Sequence, residues 1–148
     1  MLKIVFKKYA GIDVHSTKIT MCIAIIDSND ITSYETRIFP TFTENHKECR
    51  DWLISKDITD VCMESTGKYW IPVYNLLEEK INCIITYPKY VRTILGKKID
   101  KKDAKLIANM FKHGLVEPSF MSPKEIRELR DLMRYRNKLV NIRNWRKK

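Results

Sequence analysis

A chain of 148 residues, 44% hydrophobic and 31% charged, can bury one core and reads as a single globular unit. Its longest apolar run, Met21 to Ile26, is far too short to cross a bilayer, and the opening MLKIVFKKYAGID lacks the pattern of a signal peptide. The net charge of +10 is carried by one end: residues 1–85 hold 10 Lys/Arg against 12 Asp/Glu, whereas residues 86–148 hold 18 against 6. Such one-sided charge points to a polyanion partner. Lipid headgroups fit less well, because the basic half lacks the apolar opposite face of an interfacial helix. Cys22, Cys49, Cys62 and Cys83 show no CxxC or Cys/His spacing. They read as reduced core thiols, and the expected location is the cytoplasm with no membrane partner.

In chain order, Tyr9 to Val14, Lys18 to Ile26 and Ile31 to Phe39 read as three strands of a meander, rich in β-branched residues and separated by turn-like breaks. TENHKECRDWLIS predicts a helix with Thr43 as N-cap and Cys49, Trp52 and Leu53 facing inward. ITDVCME (58–64) is a buried-type strand, YWIPVYNLLEEK a helix made irregular near Pro72, and INCIITY (81–87) another strand. Helical pieces follow at 88–95 and 101–113, the second stopped by Gly114. From Pro123 to Lys148 one long basic helix is expected, opened by a capping box of Ser122, Pro123 and Glu125. Its seam of Ile126, Leu129, Met133 and Val140 calls for a second copy or the body of its own domain. The expected division is 1–121 for the folded domain and 122–148 for this helix, with the native chain continuing beyond Lys148. A meander followed by alternating helix and strand implies an α/β fold with a mixed sheet. The ribonuclease H-like fold has this order, with its first strand beside its fourth.

Four acids are badly placed for a purely structural life. Asp13 lies at the end of an apolar first strand and Glu64 ends an equally apolar fourth strand, where charge is costly unless paired or ligated. Asp100 and Asp103 sit three residues apart in KKIDKKDAK and share one helix face. Converging carboxylates need a counter-cation, and hard oxygen donors select Mg2+ or Mn2+ for phosphodiester chemistry. Each acid also has a structural alternative: helix caps for Asp100, a surface pair for Asp103, a turn for Asp13 and Lys68 for Glu64. The candidate nucleic-acid contacts are Lys18, Lys68, Lys97, Lys98, Lys101, Lys102, Lys105, Arg134 and Arg136. Ser65, Thr66 and Gly67 read as a cap for the following helix, and Trp70, Tyr87, Tyr90 and Tyr135 as core or as stacking platforms.

The segments GIDVHSTK, MESTGKYW, KKIDKKDAKLIANMFKHG and RELRDLMRYRNKLV resemble, in order, the successive motifs of the DEDD transposases of the insertion sequence 110 family. The likeness runs from about Tyr9 to about Arg143. It implies a RuvC-like N-terminal domain, a coiled-coil segment after it and a further domain bearing a catalytic serine. It further implies Mg2+-dependent DNA recombination guided by a bridge RNA, with Asp13, Glu64, Asp100 and Asp103 as the metal-binding acids. Independent catalysis by this chain is then not expected, while association of copies through the last helix is. The competing readings are a free-standing RuvC or ribonuclease H-type nuclease, and a non-catalytic RNA- or DNA-binding module. An ATPase of the actin and sugar-kinase type would need a second Gly-rich phosphate loop, and the chain has only four glycines.

Overall fold

In a computed structural model the described residues are 6–64, 67–87 and 103–146. They form five strands, β1 (Lys8–Val14), β2 (Lys18–Ile26), β3 (Thr32–Pro40), β4 (Asp60–Glu64) and β5 (Asn82–Thr86). Four helices accompany them: α1 (Thr43–Ser55), α2 (Trp70–Leu77), α3 (Asp103–Lys112) and α4 (Lys124–Trp145). The sheet order is β3-β2-β1-β4-β5. β1, β2 and β3 pair antiparallel, whereas β1 with β4 and β4 with β5 pair parallel. The first strand is therefore central and lies beside the fourth, as in the ribonuclease H-like fold whose element order this chain shares.

Both faces of the sheet are covered, which is why β1 is buried from Tyr9 to Val14 and reads as a nearly continuous apolar run. Ala10, Ile12 and Val14 join Ile19, Met21, Ile23, Val61, Met63 and Ile85 on one face, packed against α1 and α2. Strand alternation sends Tyr9, Ala24, Ile26 and Cys62 to the other face, where Ile107, Ala108, Met110 and Phe111 of α3 cover them. The buried stripe of α3 follows helical spacing: Ala104, Ile107, Ala108 and Phe111. Gly114 ends this helix at φ +65°. Its N–H donates to Phe111 O and that of Leu115 to Met110 O, a Schellman closure that requires the left-handed residue glycine supplies.

Two predicted caps differ from the structure. Thr43 is the first helical residue of α1, Phe42 holds the cap position, and no side chain caps the end. Likewise α4 opens at Lys124 with Pro123 at the cap position and no side-chain cap bond. Ser122 is instead buried, and its hydroxyl accepts from Arg130 Nη1 at 2.9 Å. Pro72 causes no break, because it falls in the first turn of α2, where its missing N–H has no intrahelical acceptor to lose. The piece expected at 88–95 lies outside the described residues.

α4 docks by its first turns only. Arg127 Nη1 donates to Ser122 O at 2.7 Å, Nη2 bonds Glu78, and the guanidinium lies 5.2 Å from the Tyr74 ring centre. Further along, no residue of α4 is buried. Ile126, Leu129 and Met133 are exposed, so the domain body does not cover the predicted seam. No helix among the described residues is long and apolar enough to cross a membrane.

Candidate metal and nucleic-acid site

The parallel register of β1 and β4 runs to Ile12 opposite Met63. One step further, Asp13 and Glu64 stand side by side at the carboxyl ends of their strands. Register neighbours in a sheet point to the same face, and this face is set by the residues two positions back. Gly11 lies under α3 and Cys62 belongs to the cluster that α3 covers. Both acids therefore project toward the α3 side. They are almost fully enclosed, with Asp13 4% and Glu64 8% exposed. Burying carboxylates this deeply is costly unless a partner compensates.

α3 runs antiparallel to β1 across this face. Near its end, Phe111 meets Tyr9 edge-on with ring centres 6.3 Å apart. Near its start, Ala104 and Ala108 press on Gly11. The amino end of α3 thus lies over the carboxyl end of β1, and Asp103, its first residue, opens the helix at the end where Asp13 and Glu64 emerge. Unsatisfied N–H groups and the helix dipole make that end favourable for negative charge. Small residues at 104 and 108 and glycine at 11 permit the approach.

One compensating partner of Asp13 is His15, whose Nε2 lies 2.9 Å from Oδ2. His15 sits in the turn after β1, where its N–H donates to Lys18 O at 2.9 Å. The imidazole is half exposed and holds the carboxylate from the solvent side. Across the pair, Thr86 at the end of β5 is the register partner of Glu64. Sequence reasoning missed both the pairing of His15 with Asp13 and the placement of Thr86 beside Glu64. For Thr86 the available signal was a polar residue closing an apolar strand.

Of the sequence candidates, the structure brings together Asp13 and Glu64 and sets the first residue of α3 at the same end. Lys18, opening β2, and Lys68, in the turn after β4, are exposed at that end of the sheet. Lys105 lies elsewhere: its Nζ is 4.3 Å from the Tyr34 ring centre, which draws it toward β3. Arg134 and Arg136 are exposed on α4, Arg134 Nη1 lying 3.6 Å from Asp131. Asp100, Lys97, Lys98, Lys101 and Lys102 lie outside the described residues. Trp70 Nε1 donates to Gly67 O at 3.1 Å, so this indole is tied to its own turn. Among the described residues no group of three or more His, Cys, Asp or Glu side chains forms a metal cluster. The four thiols are free, and burial pushes Cys49, Cys62 and Cys83 up to about 12. Cys22, Cys49 and Cys62 are inert core sulfurs, and Cys83 packs half-buried against the core.

A 3-2-1-4-5 mixed sheet with helices on both faces, and acids at the carboxyl ends of its first and fourth strands, defines a ribonuclease H-like domain of the RuvC-like type. The sequence model of the DEDD transposases of the insertion sequence 110 family matches residues 10–148. The chain belongs to that transposase family. Among solved structures, it is similar to Thermus thermophilus RuvC in complex with a Holliday junction substrate. That likeness is at 14% identity and a TM-score of 0.49, covering 77% of this chain and 84% of that one. It is also similar to the fowlpox virus resolvase in complex with Holliday junction DNA, at 14% identity and a TM-score of 0.45, covering 73% and 94%. A weaker likeness is to an Aquifex aeolicus protein of the Ppx/GppA family, at 13% identity and a TM-score of 0.42, covering 57% and 36%. No curated protein matches the chain.

Proposed function

We propose that this chain is the metal-binding part of a DNA transposase that cuts and rejoins DNA with magnesium. The observation that carries the reading is the placement of Asp13 and Glu64. They are two enclosed carboxylates on adjacent parallel strands, facing the amino end of the helix that Asp103 opens. The donor set fits a hard cation: all-oxygen ligands, with the thiols sequestered in the core. In this reading Asp13, Glu64 and Asp103 hold Mg2+ or Mn2+, and Asp100 joins them. Bound there, the cation would stabilise charge on a scissile phosphate and favour an attacking oxygen.

The chain's own groups supply the rest. His15 occupies one Asp13 oxygen, Oδ2, and would share it or swing aside only where the cation takes that same oxygen. Lys18 and Lys68 stand at the rim as phosphate contacts. Lys97, Lys98, Lys101 and Lys102, with Arg134 and Arg136, are the further candidate phosphate contacts. A guide RNA pairing with DNA would supply the sequence specificity that phosphate contacts lack. Residues 1–121 form the metal-binding domain, and α4 presents an exposed seam that joins a second copy.

The test is a Mn2+ titration followed by electron paramagnetic resonance, on the wild type and on Asp13→Asn, Glu64→Gln and Asp103→Asn. Each amide should weaken Mn2+ binding while leaving the thermal midpoint unchanged or higher, since adjacent carboxylates repel. In the full transposase each should remove recombination and spare RNA binding. Wild-type Mn2+ affinity in both Asp13→Asn and Glu64→Gln would return these acids to a structural role.

A further inference from the structure

We propose that Thr86 is a positioning residue of this cation site, its hydroxyl orienting the oxygen ligands that surround the ion. The inference rests on the reading of Asp13 and Glu64 as cation ligands, and it concerns a residue that the acidic motif does not contain.

β5 runs parallel to β4 with Thr86 opposite Glu64. Ile85 packs into the cluster under α1 and α2 and Ile84 against the cluster under α3. Alternation then returns Thr86 to the α3 side, the face that Asp13 and Glu64 share. Three strand ends in a row, β1, β4 and β5, thus present Asp13, Glu64 and Thr86 to one space. Thr86 is 1% exposed, and its Oγ1 finds no hydrogen-bond partner among the described residues. A hydroxyl buried in this way is destabilising relative to a paired one. Valine has the same shape and the higher strand preference, so packing alone favours valine here.

Other enclosed polar atoms also lack partners among the described residues: Tyr9 Oη, His46 Nε2, Trp52 Nε1, His113 Nδ1 and Ser119 Oγ. Thr86 alone among them is the register partner of a site carboxylate. A neutral hydroxyl adds no charge to the ion, but its O–H can donate to a carboxylate or water oxygen bound to it. Partners of this kind fix ligand orientation and typically change metal affinity by about 10–100-fold.

The experiment combines Mn2+ titration by electron paramagnetic resonance with denaturant unfolding, on wild type, Thr86→Val, Thr86→Ser and Asp13→Asn. Thr86→Val should weaken Mn2+ binding about tenfold while unfolding at the same or a higher denaturant concentration. Thr86→Ser keeps the hydroxyl and should restore wild-type affinity. Unchanged Mn2+ affinity in Thr86→Val, beside loss in Asp13→Asn, overturns the role of Thr86 and leaves the cation site standing. Loss of stability together with affinity in Thr86→Val, without rescue by serine, also overturns it in favour of a packing role. Unchanged affinity in Asp13→Asn overturns the cation reading on which the proposal rests.

Discussion

Gly11 of β1 lies so close to the backbone of α3 that a Cβ there would stand 2.1 Å from Ala104 O and 2.5 Å from Ala108 N. The atoms in the way are backbone, so no side-chain rotation relieves the clash. Gly11→Ala must push α3 off the sheet and loosen the packing of Phe111 on Tyr9. The expected cost is about 3 kcal/mol or more, at or beyond the upper end of the usual range for overpacking, read from urea unfolding. Mn2+ binding should weaken as well, because the amino end of α3 moves away from Asp13 and Glu64. A wild-type unfolding midpoint would show that the helix does not rest on β1 in solution.

Arg127 and Glu78 are mostly enclosed, with side chains 19% and 18% exposed, and they join α4 to α2. A double-mutant cycle with Arg127→Ala and Glu78→Ala should give a coupling of about 1–2 kcal/mol, as for contacting residues in one network. Either single variant should speed hydrogen exchange in the first turns of α4. A coupling near zero would mean that Tyr74 packing and the Ser122 carbonyl hold the helix without the ion pair.

His46, on the inward face of α1, is buried, and its Nε2 has no partner among the described residues. Burial lowers its pKa, because the charged imidazolium is desolvated. The unfolded chain therefore takes up a proton near the ordinary value of about 6.5 while the folded chain does not. This contribution to stability is complete above that pH and declines as pH falls toward the lower folded value. Thermal midpoints measured between pH 7.5 and 5 should fall more steeply for wild type than for His46→Gln. Parallel curves would place the imidazole in solvent.

The lysine-rich stretch should dominate nucleic-acid affinity. Changing Lys97, Lys98, Lys101 and Lys102 together to glutamate should abolish most binding of a short duplex. The logarithmic salt slope should become shallower by about 3–4, near 0.9 for each phosphate that the variant leaves unneutralised. Fluorescence anisotropy across a salt series measures it. An unchanged slope would move the interface to α4, where Arg134 and Arg136 should then carry the effect.

Much of this protein is legible from one-dimensional pattern alone. Strand periodicity, the apolar run of β1, the helical stripe of α3 and its Gly114 stop depend on residues near one another in the chain. Local physics is sufficient for these. The acids Asp13 and Glu64 stand out for a related reason, since a charge at the end of an apolar strand is an anomaly visible without coordinates. The caps expected at Thr43 and Ser122 do not form. Thr43 is already the first helical residue of α1, with Phe42 at the cap position, and the Ser122 hydroxyl is taken by Arg130, two turns along α4. Only the tertiary structure decided that Asp13 and Glu64 share a face, as a one-residue slip in the β1–β4 register would send them to opposite sides. It also decided that α3 runs antiparallel over β1, that Lys105 turns to Tyr34, and that Thr86 closes the row of strand ends. These relations join residues far apart in the chain, so sheet register and helix packing, rather than any local preference, determine them.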